Sequence, residues 1–132
     1  MKKGYKENIE KKTVENKNFR HVLYTGAHMQ LVLMSLEVGE EIGVEVHTDN
    51  DQFFRFEQGL GTVIINDTTY HVGDGDVIIV PAGAEHNVMN TGHEPLKLYT
   101  IYAPSHHKDG IVRATRQEAM DQEADFDGMT TE

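Results

Sequence analysis

The 132-residue chain contains no cysteine. This absence excludes disulfide bonds and any metal site built on thiolates. The chain also lacks a long apolar run, so it offers no candidate transmembrane segment, and no apolar stretch follows the basic residues at its start. We therefore expect a protein without a secretory signal that resides in the cytoplasm, a setting that the lack of cysteine also favours.

Basic residues are scarce relative to acidic ones. The chain has 12 Lys and Arg against 22 Asp and Glu, which gives a formal net charge of −10. An acidic surface repels nucleic acids and anionic membranes, so we expect neither as a partner. The length suits a single domain with a core of its own.

Most of the chain alternates between short strand-like runs and turn signals rich in Gly, Pro, Asn and Asp. Many short strands at this spacing are typical of an antiparallel sandwich or barrel. The predicted runs are Val22–Tyr24, Met29–Leu36, Gly43–His47, Gln52–Glu57, Thr62–Asn66, Thr68–Val72, Val77–Val80, Glu85–Asn90 and Leu96–Tyr102.

The two ends of the chain differ from this middle. Residues 1–20 are predicted to be a leader or an edge strand, residues 21–114 a barrel, and residues 115–132 a short helix followed by an acidic tail. Thr115 and Glu118 have the spacing of a capping box, which predicts the start of that helix. Beyond about Glu123 the chain is polar and acidic, and we expect it to be frayed.

Four side chains of the barrel segment have the chemistry of metal ligands. Glu45 and His47 lie two residues apart in a strand-like run, so they leave the same face. Gln52 follows in the next run and His86 lies in a later one. A carboxylate, two imidazoles and an amide oxygen that converge on one point suit a divalent transition metal.

Strand alternation predicts what surrounds these ligands. Gln52, Phe54 and Phe56 share one face of their run, so aromatic rings are expected beside the metal. The candidate residues for a substrate pocket are His28, Gln30, Met34, Phe54 and Tyr102. His106 and His107 follow the last strand-like run and are expected on a solvent-exposed loop.

The spacing of these residues resembles the two motifs of the cupin superfamily. The first motif corresponds to Gly39, five residues, Glu45-Val46-His47, four residues, Gln52, six residues and Gly59. The second corresponds to Gly75, five residues, Pro81-Ala82-Gly83, two residues, His86, three residues and Asn90. The resemblance covers roughly residues 28–104 and is similar to that of small single-domain cupins described as mannose-6-phosphate-isomerase-like.

The resemblance implies an all-β, single-domain β-barrel of the jelly-roll type, a double-stranded β-helix, with the metal inside it. In the first motif this chain departs from the usual residues, because Glu45 stands where most metal-binding cupins have His and Gln52 stands where they have Glu. The ligand set keeps two imidazoles and one carboxylate, with Gln52 as a weak fourth ligand. Since an amide cannot take up a proton as a carboxylate does, Gln52 cannot serve as a general base.

Two classes of function fit these residues. The first is a metal-dependent enzyme of oxygenase, isomerase or lyase type that acts on a small organic substrate with Fe, Mn, Zn or Ni. The second is a non-catalytic module that binds a small molecule beside a structural metal. A phosphosugar isomerase is disfavoured, because a phosphate needs Arg or Lys nearby and Arg55 is expected to point away from the metal face. Since cupin barrels commonly pair, we expect a homodimer.

Overall fold

The structure is a computed structural model that describes all 132 residues, and it contains two antiparallel β-sheets that face each other. A six-stranded sheet has the order β10-β1-β2-β9-β4-β7 and a four-stranded sheet has the order β3-β8-β5-β6. The elements are α1 (Ile9–Glu15), β1 (Arg20–Thr25), β2 (Gln30–Leu36), β3 (Glu45–Val46), β4 (Asp51–Gln58), β5 (Gly61–Ile65), β6 (Thr68–Val72), β7 (Val77–Val80), β8 (Glu85–Asn90), β9 (Leu96–Ala103), β10 (Val112–Arg113) and α2 (Arg116–Asp121).

This architecture confirms the predicted all-β barrel of jelly-roll type with a short C-terminal helix. Each of the nine predicted runs overlaps a strand of the structure. The two-residue strand β10 was missed, because its pairing with Arg20 and His21 of β1 brings together opposite ends of the chain. Neither helix has the length and apolar composition needed to cross a membrane.

The core lies between the two sheets and follows strand alternation. On β4, Gln52, Phe54 and Phe56 are buried while Phe53 and Arg55 are only half-buried, as the period of two predicts. On β8, His86 and Val88 are buried in the opposite sheet. Apolar side chains from both sheets form one cluster.

The expectation of an edge strand within residues 1–20 is wrong, because this segment contains helix α1. The side chain of Asn8 caps the helix by accepting a hydrogen bond from the Lys11 N–H at 3.0 Å. The helix packs on the outer face of the larger sheet against β4 and β9, and the Lys97 ammonium donates to the carbonyl of Asn16 at its end. A leader that covers one sheet face is thereby joined to the barrel.

Helix α2 begins at the predicted capping box. The Thr115 hydroxyl accepts from the Glu118 N–H at 3.1 Å, and the Glu118 carboxylate reaches back to the Ala114 N–H at 2.8 Å. The helix therefore starts where the spacing of Thr115 and Glu118 indicates.

Hydrogen bonds hold the acidic C-terminal segment, residues 122–132, in place. This differs from the expectation that it is frayed. Its backbone pairs with the loop after β9, where the Lys108 N–H donates to Ala124 O and the Phe126 N–H donates to His106 O, each at 2.9 Å. At the chain end, the Glu132 carboxylate accepts from the Tyr24 hydroxyl at 2.6 Å. Composition alone predicted fraying, but backbone hydrogen bonds hold the segment against the barrel.

Candidate metal centre

The four predicted ligands come from, or directly follow, strands of both sheets. Glu45 begins β3 and lies directly opposite His86 of β8 in the antiparallel register. His47 follows immediately after β3, and Gln52 comes from β4 in the other sheet. The jelly-roll topology thus gathers residues separated by about forty positions at one end of the barrel.

Glu45 and His47 form the closest pair. The Glu45 Oε2 and His47 Nε2 atoms are 3.1 Å apart, yet the ring nitrogen does not meet the geometry of a hydrogen bond. Burial alone raises the pKa of the Glu45 carboxyl, but the adjacent His47 outweighs burial, with help from Arg20 and His86, and the pKa falls below its ordinary value. Glu45 is therefore held as a carboxylate, the form that binds metals.

His86 is oriented so that one ring nitrogen is left free. Its Nδ1 lies 3.0 Å from the carbonyl of Ala84, which can only accept, so Nδ1 carries the proton. The Nε2 atom then presents a lone pair, and it is buried with no hydrogen-bond partner. A backbone carbonyl that fixes the tautomer in this way is the usual support of a metal-bound imidazole.

Gln52 shows the same division between a held atom and a free atom. Its Nε2 donates to the Thr100 hydroxyl at 3.0 Å, which leaves Oε1 as the end that faces away from Thr100. The Oε1 atom is buried without a partner, as is His47 Nε2. Since buried polar atoms almost always have partners, these three atoms are open to a ligand that the protein itself does not supply.

The structure groups His106, and not His86, with Glu45 and His47, and it overturns the expectation of solvent-exposed histidines after β9. One ligating atom each of Glu45, His47 and His106 lies within 4.8 Å of the others. The His106 ring is 4.5 Å from the His47 ring and stacks on Tyr102 at 5.1 Å. His106 is half-buried and His107 is buried, because the loop folds back over the end of the barrel.

Gln30 explains why this loop folds back. The fully buried Gln30 amide accepts from the backbone N–H groups of His106 and His107 at 3.2 and 2.9 Å and donates to the His107 carbonyl at 2.6 Å. A second donation to the Thr25 hydroxyl at 2.9 Å completes its bonds. The prediction that Gln30 lines a pocket is therefore wrong, since its Oε1 and Nε2 atoms both bond to the backbone of His106 and His107.

Replacing Gln30 with leucine is expected to destabilise the protein by about 2 kcal/mol, because it leaves buried backbone groups of His106 and His107 without partners. Chemical denaturation followed by circular dichroism measures the change. The control is Gln117→Leu, since Gln117 is exposed on α2 and bonds only to Asp121; this change is expected within about 0.5 kcal/mol of wild type. Equal stability of the two variants would contradict the role of Gln30.

The structure places the other predicted pocket residues in different surroundings. His28 is exposed in the turn between β1 and β2, because the strand begins only at Gln30, and it does not line the cavity. Met34 is buried in the apolar core. The Phe54 ring lies 6.3 Å from His86, so it forms part of the wall behind the ligands.

Tyr102 is buried between the histidines. Its ring meets His47 edge to face at 5.7 Å, and its hydroxyl lies 3.2 Å from His107 Nε2. Burial raises the pKa of Tyr102, and burial together with Arg20 lowers the pKa of His107 to about 2. Both side chains are therefore neutral supports of the site.

A polar cavity of about 320 Å³ opens onto Glu45 and His47, whereas Gln52 does not line it and His86 lines a separate cavity. The lining of the polar cavity includes Arg20, which sequence reasoning missed because the barrel was expected to begin at residue 21. The cavity is lined by Arg20, Glu45, Val46, His47, His106, His107, Glu123, Ala124 and Asp125. A signal was present in the sequence, since Arg20 and the core residue Val22 are two apart and share a face of β1.

Comparison with known proteins places this geometry in a family. The model of the cupin domain matches residues 32–102, a range that contains Glu45, His47, Gln52 and His86. The chain belongs to the cupin family. This cupin is 47% identical over 124 residues to the uncharacterized protein YrkC of Bacillus subtilis, with 89% of this chain and 67% of YrkC covered.

Two further relatives share most of the chain. The uncharacterized protein L612 of Acanthamoeba polyphaga mimivirus is 39% identical over 119 residues, with 87% of this cupin and 74% of L612 covered. The crystal structure of BH2720 from Bacillus halodurans superposes with a TM-score of 0.89 at 45% identity and covers 91% of this cupin and 96% of that chain. The likeness therefore extends beyond residues 32–102, the range that the cupin domain matches.

Proposed function

We propose that this cupin holds one divalent transition metal between its sheets and acts as a metal-dependent enzyme on a small organic substrate. The observation that supports this most directly is the set of three buried orphan atoms, His47 Nε2, Gln52 Oε1 and His86 Nε2, beside the ionised Glu45. An empty barrel would leave these polar groups desolvated at a cost of about 1–3 kcal/mol each.

Each residue of the site would have its own role in binding the metal. Glu45, His47 and His86 would hold the metal, and Gln52 would contribute a weaker neutral oxygen or orient a bound water. A metal bound there supplies either a Lewis acid or, as iron(II), a centre for oxygen chemistry. His106 stands at the cavity and can complete the ligand set or take a proton from a substrate on one of its ring nitrogens.

The cavity itself favours a polar substrate of modest size. Its volume of about 320 Å³ is at the lower end of that of small-molecule sites, and only Val46 and Ala124 of its lining are apolar. The buried wall of Phe54 and Tyr102 behind the ligands excludes water from that side. The substrate would therefore enter from the side of His106.

The test is the metal content of the purified protein after anaerobic loading with iron(II), manganese, nickel or zinc in turn. We expect about one equivalent of metal per chain. Oxygen uptake by the iron form in the presence of candidate substrates would assign oxygenase chemistry, and turnover by the zinc or manganese form would assign Lewis-acid chemistry. Binding of metal without turnover would favour the alternative, a non-catalytic small-molecule-binding cupin. No metal uptake under any condition would refute the proposal.

A further inference from the structure

Arg20 is an unpaired cation in an acidic cavity. It has no ion pair and donates no side-chain hydrogen bond, although Glu45, Glu123 and Asp125 line the same space. Its Nε is buried and has no partner. A guanidinium that is partly buried and has no acceptor within the protein can bind an acceptor group of a ligand.

The surroundings of Arg20 keep it in place. Its strand position is fixed by pairing with Met34 on β2 and Arg113 on β10. The guanidinium carbon lies 5.5 Å from the centre of the Phe19 ring, a contact that supports the charged group without using its hydrogen-bond donors. Arg20 therefore offers a fork of donors that need not rearrange before a ligand binds.

From this geometry we infer that Arg20 binds the carboxylate group of the substrate, so that the cavity selects small organic acids. A planar guanidinium matches a carboxylate through two parallel hydrogen bonds. Glu45 and His47, two of the proposed metal ligands, line the cavity together with Arg20, so a dicarboxylate there can meet both Arg20 and the metal. This inference rests on the proposed function and names the substrate class of the same site.

Charge favours a carboxylate over a phosphate. Arg20 is the single cationic side chain among the residues that line the metal cavity, where three carboxylates also lie. A phosphate dianion needs more than one positive partner in such surroundings, whereas one arginine balances one carboxylate. The second arginine nearby, Arg116, does not line the metal cavity. It lines an adjacent cavity, which Arg20, Glu45 and Glu123 also line, and its Nη2 lies 3.4 Å from the Ile42 carbonyl.

The experiment compares wild type with Arg20→Gln and Arg20→Lys, each loaded with cobalt(II) as a spectroscopic stand-in for the native metal. The probes are malonate and succinate, with malonamide and succinamide as uncharged counterparts and inorganic phosphate as the competing anion. Binding is followed by the visible cobalt absorption and by the Arg20 Nε–H resonance in nitrogen-15 spectra. Metal content and thermal stability are measured for every sample.

We expect at least one dicarboxylate to shift the Arg20 Nε–H resonance, and we expect Arg20→Gln to weaken its binding about tenfold or more. Arg20→Lys is expected to fall between wild type and Arg20→Gln, because it keeps the charge and loses the fork. The matched control is Arg116→Gln, which also removes an arginine with a buried, unpartnered Nε and should leave dicarboxylate binding unchanged.

Three results would overturn the inference while leaving the metal site intact. They are full cobalt content with no response of Arg20 to either dicarboxylate, tighter binding of phosphate than of both dicarboxylates, and equal weakening by Arg20→Gln and Arg116→Gln. Failure to take up cobalt would instead refute the proposed function. In that case, a shift of the Arg20 resonance by a dicarboxylate in the metal-free protein would still support the anion site.

Discussion

Replacing His86 with alanine is expected to lower the affinity for a divalent transition metal about 100-fold or more. His86 is 4% exposed, its Nδ1 is held by the Ala84 carbonyl, and its Nε2 has no partner within the protein. Removing a supporting partner of a metal ligand typically costs about 10–100-fold in affinity, and removing the ligand costs more. Competition with a chelating indicator measures the change.

A graded series distinguishes loss of a ligand from general damage to the barrel. Thr100→Val removes only the hydrogen bond that orients Gln52, so affinity should fall by about tenfold. His93→Ala changes an exposed histidine in a turn and should leave affinity unchanged. If His86→Ala, with a native circular dichroism spectrum, still binds metal as tightly as His93→Ala, the assignment of His86 as a ligand is wrong.

Replacing Gly59 with alanine is expected to destabilise the fold by about 3 kcal/mol. Gly59 has φ of +97°, a conformation that costs other residues about 1–2 kcal/mol. A Cβ at this position would lie 2.9 Å from the Pro95 carbonyl oxygen and 3.2 Å from the Cα of Leu96, and overpacking adds about 1–3 kcal/mol. Because both close atoms belong to the backbone, the contact cannot be relieved by a side-chain rotation.

Gly39→Ala provides the matched control. Gly39 also has a positive φ, of +80°, but a Cβ there meets nothing within 4 Å. Its expected cost is about 1 kcal/mol, from conformation alone. Urea denaturation of both variants measures the difference, and equal loss of stability would show that the approach of Pro95 to Gly59 carries no energetic weight.

Much of the barrel could be predicted because strand alternation is a local property. The period of two on β4 correctly predicted that Gln52, Phe54 and Phe56 are buried. The turn residues between β7 and β8 correctly predicted two separate strands. The motif spacing also placed Glu45, His47 and His86 close together, since the register of β3 on β8 follows from the fold. Their role as metal ligands stays a prediction.

The mouth of the cavity could not be predicted, because it is built from contacts distant in sequence. His106 reaches the cavity only because Gln30, 76 residues earlier, binds its backbone N–H, and no local pattern encodes that bond. The ordering of the acidic tail depends likewise on backbone pairing with the loop after β9. Helix α1 was missed because its short polar sequence gains support from packing on the larger sheet.

The two sides of the cavity have different origins in the chain. Glu45 and His47 lie within residues 32–102, the part that matches the cupin domain, whereas Arg20, His106, Glu123 and Asp125 lie outside it. Under the proposed function, changes in the flanking segments would alter which molecule is admitted without disturbing the barrel. Such a division would let selectivity and chemistry change independently, the first through the ends of the chain and the second through its middle.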